Sequence, residues 1–260
     1  NGETLFDKAH NLGYECHIIW DSQWDKTAKK YSECYGNYTI INSIEKIRQG
    51  VGSHYIHEGF LTPNEEISKY TIMKVEEEVK RICESSKPIF LWIHLPHVIN
   101  GRTSYGSDID LFDEIVGILR KYFNDDNIYI SADHGNMNGV KNKLCYGFDV
   151  YEPAICIPLI TPRLYNMKEF DDNVSNIDLY DIIFKNKIIK REFIYSDSAY
   201  YAQPKRKLAI IHKNYKYIYN KKDNSEELYD LKYDPFESCN LIKDYVYDID
   251  RKVKTPLREL

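Results

Sequence analysis

At 260 residues and 43% hydrophobic side chains, the chain can bury the core of one large domain, or of one domain with a small appendage. Its 40 acidic residues outnumber the 35 basic ones, and a net charge of −5 argues against nucleic acid or an anionic membrane as the main partner. Six cysteines without a Cys-x-x-Cys pair read as free thiols of a reducing, cytoplasmic compartment, and no apolar run approaches the roughly 20 residues that span a bilayer.

Along the chain, Glu3 to Asn11 has the pattern of an amphipathic helix, with Leu5, Phe6 and Ala9 on one side and Gly13 as its stop. Tyr14 to Trp20 reads as a strand. A second helix is predicted over Asn64 to Ser85, its pattern carried by Ile67, Tyr70, Thr71, Met73, Lys74 and Val75. The run Ile89 to Ile93 reads as a strand buried on both faces, Asp110 to Tyr122 as a helix, and Asn127 to Ala132 as a strand. A further apolar strand follows, with Cys156 inside it. Strand and helix alternate, so the fold class is α/β, with a mostly parallel, helix-covered sheet. After about Arg191 the texture changes to short β-like runs, Phe193 to Ser196, Leu208 to His212 and Tyr215 to Tyr219, separated by Lys/Asn turns. The expected organisation is an α/β domain over 1–190 and a small β-rich subdomain over 191–260.

The chemistry concentrates at Asp133-His134-Gly135. A strand that ends in an acid and an imidazole presents two metal-ligand side chains at the carboxyl edge of a sheet, where open α/β sheets keep their sites. The plainer alternative is a turn closed by the Asp133 side chain. Upstream, the strand Pro88 to His97 ends in His94 and His97 around Pro96. Downstream come Tyr151 to Ile160, Val174 to Ile183, and Glu227 to Glu237 with the turn at Asp234-Pro235.

Taken in this order, the segments resemble the sulfatase family of the alkaline-phosphatase-like superfamily, from about Glu3 to about Leu241. The resemblance implies a sulfatase-like α/β domain with a small antiparallel C-terminal subdomain, acting as a metal-dependent hydrolase of sulfate or phosphate esters on a small molecule or glycan. It implies that Asp133 and His134 hold a divalent cation. An aspartate with a histidine suits Zn or Mn, whereas Ca usually takes more oxygen. His97, with His94 beside it, matches the histidine that lies against the ester oxygens, and Lys141 or Lys143 falls where the family places a lysine on the transferring group. Asp113, Gly117, Asp178, Asp230 and Asp234 are expected to be structural, Asp178 as a helix N-cap.

Two departures shape the expectation. The Cys-x-Pro-Ser-Arg or Ser/Thr nucleophile of the family, and the acidic ligands that precede it, have no match, so the chain is expected to begin just after them. Trp20-Asp21-Ser22-Gln23 stands where sulfatases carry Gly-Lys-Trp-His, which places an acid where an anionic substrate is usually met by a cation. Two rivals therefore stay open. One is a phosphoglycerol or phosphoethanolamine transferase of the same superfamily, and the other a catalytically silent binding protein.

Overall fold

The protein is represented by a computed structural model that describes residues 2–21, 37–41, 65–94, 105–143, 146–162, 173–198 and 206–243. Two compact units divide it, residues 1–127 and 128–260.

The first unit begins with helix α1, Leu5–Asn11. Thr4 and Asp7 make a capping box: the Thr4 hydroxyl accepts from the Asp7 N–H at 3.1 Å, and the Asp7 carboxylate accepts from the Thr4 N–H at 2.8 Å. Gly13, at φ +85°, ends the helix, and the Tyr14 N–H returns to the Ala9 carbonyl at 3.0 Å. The chain continues into strand β1, Glu15–Asp21, which pairs in parallel with β2, Asn37–Ile41, on one side and β3, Ile89–His94, on the other. Parallel pairing needs crossovers, and helix α2, Glu65–Ile82, lies between β2 and β3 in sequence. Helix α3, Tyr105–Leu119, follows β3.

Strand alternation divides the packing of this sheet. Ile19 of β1 joins Val75, Val79 and Ile82 of α2 and Leu111 and Ile115 of α3 in one buried cluster, with Leu91 and Ile93 of β3 packed against it. The opposite face meets α1, whose Phe6 ring lies edge-on to Phe90 at 5.3 Å and tilted to Trp92 at 6.1 Å. Helices thus cover both faces, which is why β1 is buried from Cys16 to Ile19 regardless of alternation. Two expectations change. The buried face of α2 is Thr71, Val75, Val79 and Ile82, while Met73 points to solvent. Each residue of β3 is half-buried, because among the described residues it has a neighbour only on its β1 side.

The second unit holds a four-stranded antiparallel meander: β6, Ile194–Asp197; β7, Lys207–His212; β8, Tyr215–Asn220; and β9, Ser225–Asp230. It lies where the sequence places a small antiparallel C-terminal sheet. Lys213, at φ +53°, and Asn214 make the two-residue turn between β7 and β8. One face carries Ala209, Ile218 and Tyr229, which pack on Met137, Val150, Tyr151 and Ala154. Leu208, Ile210, Tyr217 and Leu228 cluster on the other face with Phe193 and Leu241.

Ahead of the meander, the expected strand from Asn127 to Ala132 shrinks to β4, Ile130–Ser131, paired antiparallel with β5, Leu159–Ile160. The residues before β5 are not a strand. Pro153 starts a single helical turn, α4, Glu152–Ile155, and Cys156 follows it as an exposed thiol. Helix α5, Leu179–Lys185, completes the unit. None of the described cysteines is in a disulfide, and no helix among the described residues is long and apolar enough to cross a membrane.

His17 is the buried polar residue of β1, with Nε2 2.9 Å from the Glu15 carboxylate, which in turn accepts from the Ser85 hydroxyl. Burial pushes the His17 imidazole below its ordinary value, and Glu15 only partly offsets this. The native state therefore keeps the ring neutral while the unfolded chain protonates it below about pH 6.5, so stability falls as pH drops through that range. In His17→Gln, the decrease in urea-measured unfolding free energy from pH 7.5 to 5.5 is expected to be smaller than in the parent. Equal decreases would remove His17 from the acid sensitivity.

Candidate functional site

Asp133 follows β4 by two residues and turns its carboxylate back on its own chain: Oδ1 accepts the backbone N–H of His134 at 2.9 Å. The His134 Nδ1 lies 2.9 Å from the Gly135 carbonyl oxygen. A carbonyl only accepts, so Nδ1 carries the proton and Nε2 is the ring nitrogen left for other work. That Nε2 stands 3.5 Å from Asp133 Oδ2. The Tyr146 ring stacks on the imidazole at 3.9 Å between centroids and 21° between planes, fixing the ring from its flat side. Both side chains remain open to solvent, Asp133 at 60% and His134 at 37%.

The pair fits a divalent cation. Two ligands of a four-coordinate ion bound at about 2.0–2.2 Å stand roughly 3.3–3.6 Å apart, the separation of the two groups here, and the Nδ1–H to carbonyl bond is the usual brace for a metal-ligating imidazole. Among the described residues, no third His, Cys, Asp or Glu joins them in a cluster that could hold an ion.

Gly135 explains how the pair is held at the edge of the unit. Its N–H donates to the Ala154 carbonyl at 2.9 Å, and a Cβ on it would meet the Pro153 carbonyl oxygen at 2.2 Å. Glycine is required here by close approach to α4. The turn itself comes later, where Asn138, Gly139, Lys141 and Asn142 all have positive φ.

The two sequence-proposed lysines go to different partners. Lys141 donates to the Glu237 carbonyl, lies 3.5 Å from the Tyr229 hydroxyl, and sits over the Tyr151 ring at 4.4 Å and the Tyr229 ring at 5.0 Å. Lys143 pairs with buried Asp149 at 2.6 Å, and Lys207 pairs with the other Asp149 oxygen. Tyr151, ringed by these cations, donates its hydroxyl to Glu227 at 2.8 Å. Burial first, and the Glu227 carboxylate second, hold the Tyr151 and Tyr229 hydroxyls well above the ordinary phenol range. Beneath them Lys216 is fully buried between Glu152, at 2.9 Å, and Glu237, at 2.8 Å. Burial raises the Glu237 carboxyl, with Lys216 opposing the rise.

In the first unit, His94 ends β3 and stacks on Trp20 at 4.9 Å and 24°. His97 lies outside the described residues, as do Cys34 and Cys145. Asp178 is structural, but its side chain does not cap α5 as expected: fully buried, it accepts the Ser175 N–H at 3.3 Å as the reciprocal partner in the capping box of Ser175, and it receives Arg191 at 2.9–3.0 Å. Asp234 closes its turn by accepting from the Ser238 and Cys239 N–H groups. Sequence reasoning missed Tyr146, Asp149 and Tyr151. Nothing in the spacing marks the first, whereas an aspartate and a tyrosine in an apolar run are a signal for the others.

No protein-family model matches the sequence, and no curated protein is significantly similar to it. Solved structures do share its fold. The chain superposes over 99% of its length on 73% of i-CgsB, crystallised with k-i-k-neocarrahexaose, at TM-score 0.65 and 13% identity. A 2-O GAG sulfatase matches over 98% of this chain and 72% of its own, at TM-score 0.59 and 15% identity. The phosphonate monoester hydrolase SpPMH of Silicibacter pomeroyi matches over 98% of this chain and 79% of its own, at TM-score 0.58 and 12% identity. The fold is that of the sulfatases and their phosphonate-hydrolysing relatives. The chain spans 72–79% of the length of these three structures, and 51% of a protein crystallised with D-glucosamine-2-N,6-O-disulfate.

Gly135→Ala is expected to lower the unfolding free energy by about 2–3 kcal/mol, because backbone rather than a flexible side chain must give way. Chemical denaturation measures it, and a loss below about 0.5 kcal/mol, the level of a neutral surface change, would show that the seam with α4 is slack.

Proposed function

We propose that this chain belongs to a metal-dependent hydrolase of sulfate or phosphate esters, with Asp133 and His134 holding a divalent cation. The observation that carries the reading is the brace on His134, which protonates Nδ1 and turns Nε2 toward the Asp133 carboxylate within a fold shared with sulfatases. A cation held there would supply neutralising charge for the ester oxygens and lower the barrier to nucleophilic attack at the sulfur or phosphorus. Asp133 supplies a hard oxygen and His134 a nitrogen, a donor set suited to Zn or Mn. His97, and His94 at the end of β3, are assigned as donors to charge growing on the ester oxygens. Of the two lysines, Lys143 is assigned to the anionic group, since its side chain is 38% exposed and its ammonium is held by Asp149. Lys141 is assigned to the loop, its ammonium already placed on Glu237 and two tyrosine rings. The substrate class is a sulfated or phosphorylated glycan or small molecule. The GAG sulfatase and the neocarrahexaose complex among the structural neighbours support the glycan.

One observation favours a second reading. Asp21 ends β1 where sulfatases carry a cation; an acid there argues against the usual sulfate pocket and is easier to reconcile with a phosphate-ester hydrolase or a phospho-group transferase. Product analysis with an added alcohol separates the two, since a transferase passes the group to the alcohol and a hydrolase releases inorganic anion.

The intact gene product and its Asp133→Ala variant are to be compared for bound divalent metal and for hydrolysis of aryl sulfate and aryl phosphate. The variant is expected to lose metal affinity about 100-fold or more, with activity falling alongside. Unchanged metal content would end the ligand assignment.

A further inference from the structure

The segment around Asp178 reaches back to the strand end that carries Asp133. In the β4–β5 ladder, Ile130 faces Ile160 and Ser131 faces Leu159, so Pro158 comes opposite Ala132 at the next position. Proline has no N–H, and the ladder stops there. The Ser131 hydroxyl takes the Pro158 carbonyl at 3.1 Å. The Ala132 carbonyl, one residue before Asp133, is taken instead by the side-chain amide of Asn176 at 3.1 Å. Asn176 is itself well anchored. It opens the 3₁₀ turn Asn176–Asp178, closed by the capping box of Ser175 with Asp178, and buried Asp178 is gripped through two atoms by Arg191.

We propose that Asn176 is a positioning residue for the Asp133–His134 pair, holding the carbonyl just before it, beyond the end of the ladder, and so fixing the direction in which the chain leaves β4. The inference deepens the metal-centre reading and rests on it for its functional meaning. Removing the amide frees the Ala132 carbonyl and loosens the two residues that follow it, while Gly135 stays docked on Ala154. The imidazole then samples orientations in which Nδ1 no longer meets the Gly135 carbonyl.

The test uses the intact gene product, with Asn176→Ala and Asn176→Asp, the second keeping the size and the oxygen while discarding the donor. Imidazole ¹H–¹⁵N spectra recorded without metal report the His134 tautomer directly. Both variants are expected to move the His134 ring nitrogens toward averaged values while the His212 ring, in β7 of the same unit, keeps its signals. Calorimetric titration with Zn²⁺ is expected to show about tenfold weaker binding, as is common for lost outer-shell partners. Ile177→Ala, on the same turn and exposed, is expected to leave both readouts unchanged. His134 signals in both Asn176 variants identical to the parent's would overturn the inference, as would shifts that appear equally in Ile177→Ala. If the parent shows no Zn²⁺ affinity that Asp133→Ala abolishes, the metal-centre reading falls, and the His134 spectrum alone still decides for or against Asn176.

Discussion

The second unit depends on a backbone seam only a glycine wide. Gly135 lies so close to the first turn of α4 that its N–H bonds the Ala154 carbonyl and a methyl group would strike Pro153. This contact sets where the chain runs immediately after Asp133 and His134, and so determines what their side chains can share. The seam would be of little use were α4 itself loose. It is tied to the meander by the Glu237 carboxylate, which accepts the Glu152 N–H at 2.7 Å and faces the ammonium of Lys216. Placing two charges where neither is exposed is costly unless each finds its partners, and breaking one leaves the other stranded. The candidate site is therefore braced through α4 by a sheet that contributes no proposed ligand.

Much of the architecture could be read from the chain. Period-3.6 patterns located α1, α2 and α3 because each helix buries a single stripe, and the apolar runs located β1 and β3 because helices cover both faces of their sheet. The meander was legible because its turns carry Lys and Asn between β-branched and aromatic runs. Failures came where apolar composition was a poor guide. The apolar run around Cys156 reads as a strand, yet Pro153 is better placed at a helix start, and Cys156 ends exposed. Asn127 to Ala132 has the side chains of a longer strand, but Asp125–Asn127 is a 3₁₀ turn and Pro158 removes a rung on the far side.

The site was legible in part, and for a physical reason. Asp133 and His134 are neighbours in sequence, so their convergence is a local matter of backbone and one carbonyl. What braces them comes from elsewhere: Tyr146 by stacking, Ala154 across the seam, and Asn176 on the carbonyl of Ala132, 44 residues before it. No spacing rule encodes such partners, since they depend on how loops close over one another.

The ring of Tyr151 has a further consequence. Three ammonium groups, from Lys141, Lys143 and Lys207, lie within 4.4–5.2 Å of its centre, held by the carboxylate of buried Asp149 and by the main-chain oxygen of Glu237. Dissolved ions weaken attraction between charges that water separates, over a Debye length of about 8 Å at physiological ionic strength, but they have little access to pairs in direct contact over an aromatic face. Lys207, whose side chain is 15% exposed, is thus the pairing with Asp149 that salt reaches least, and Lys143, at 38%, the one it reaches more.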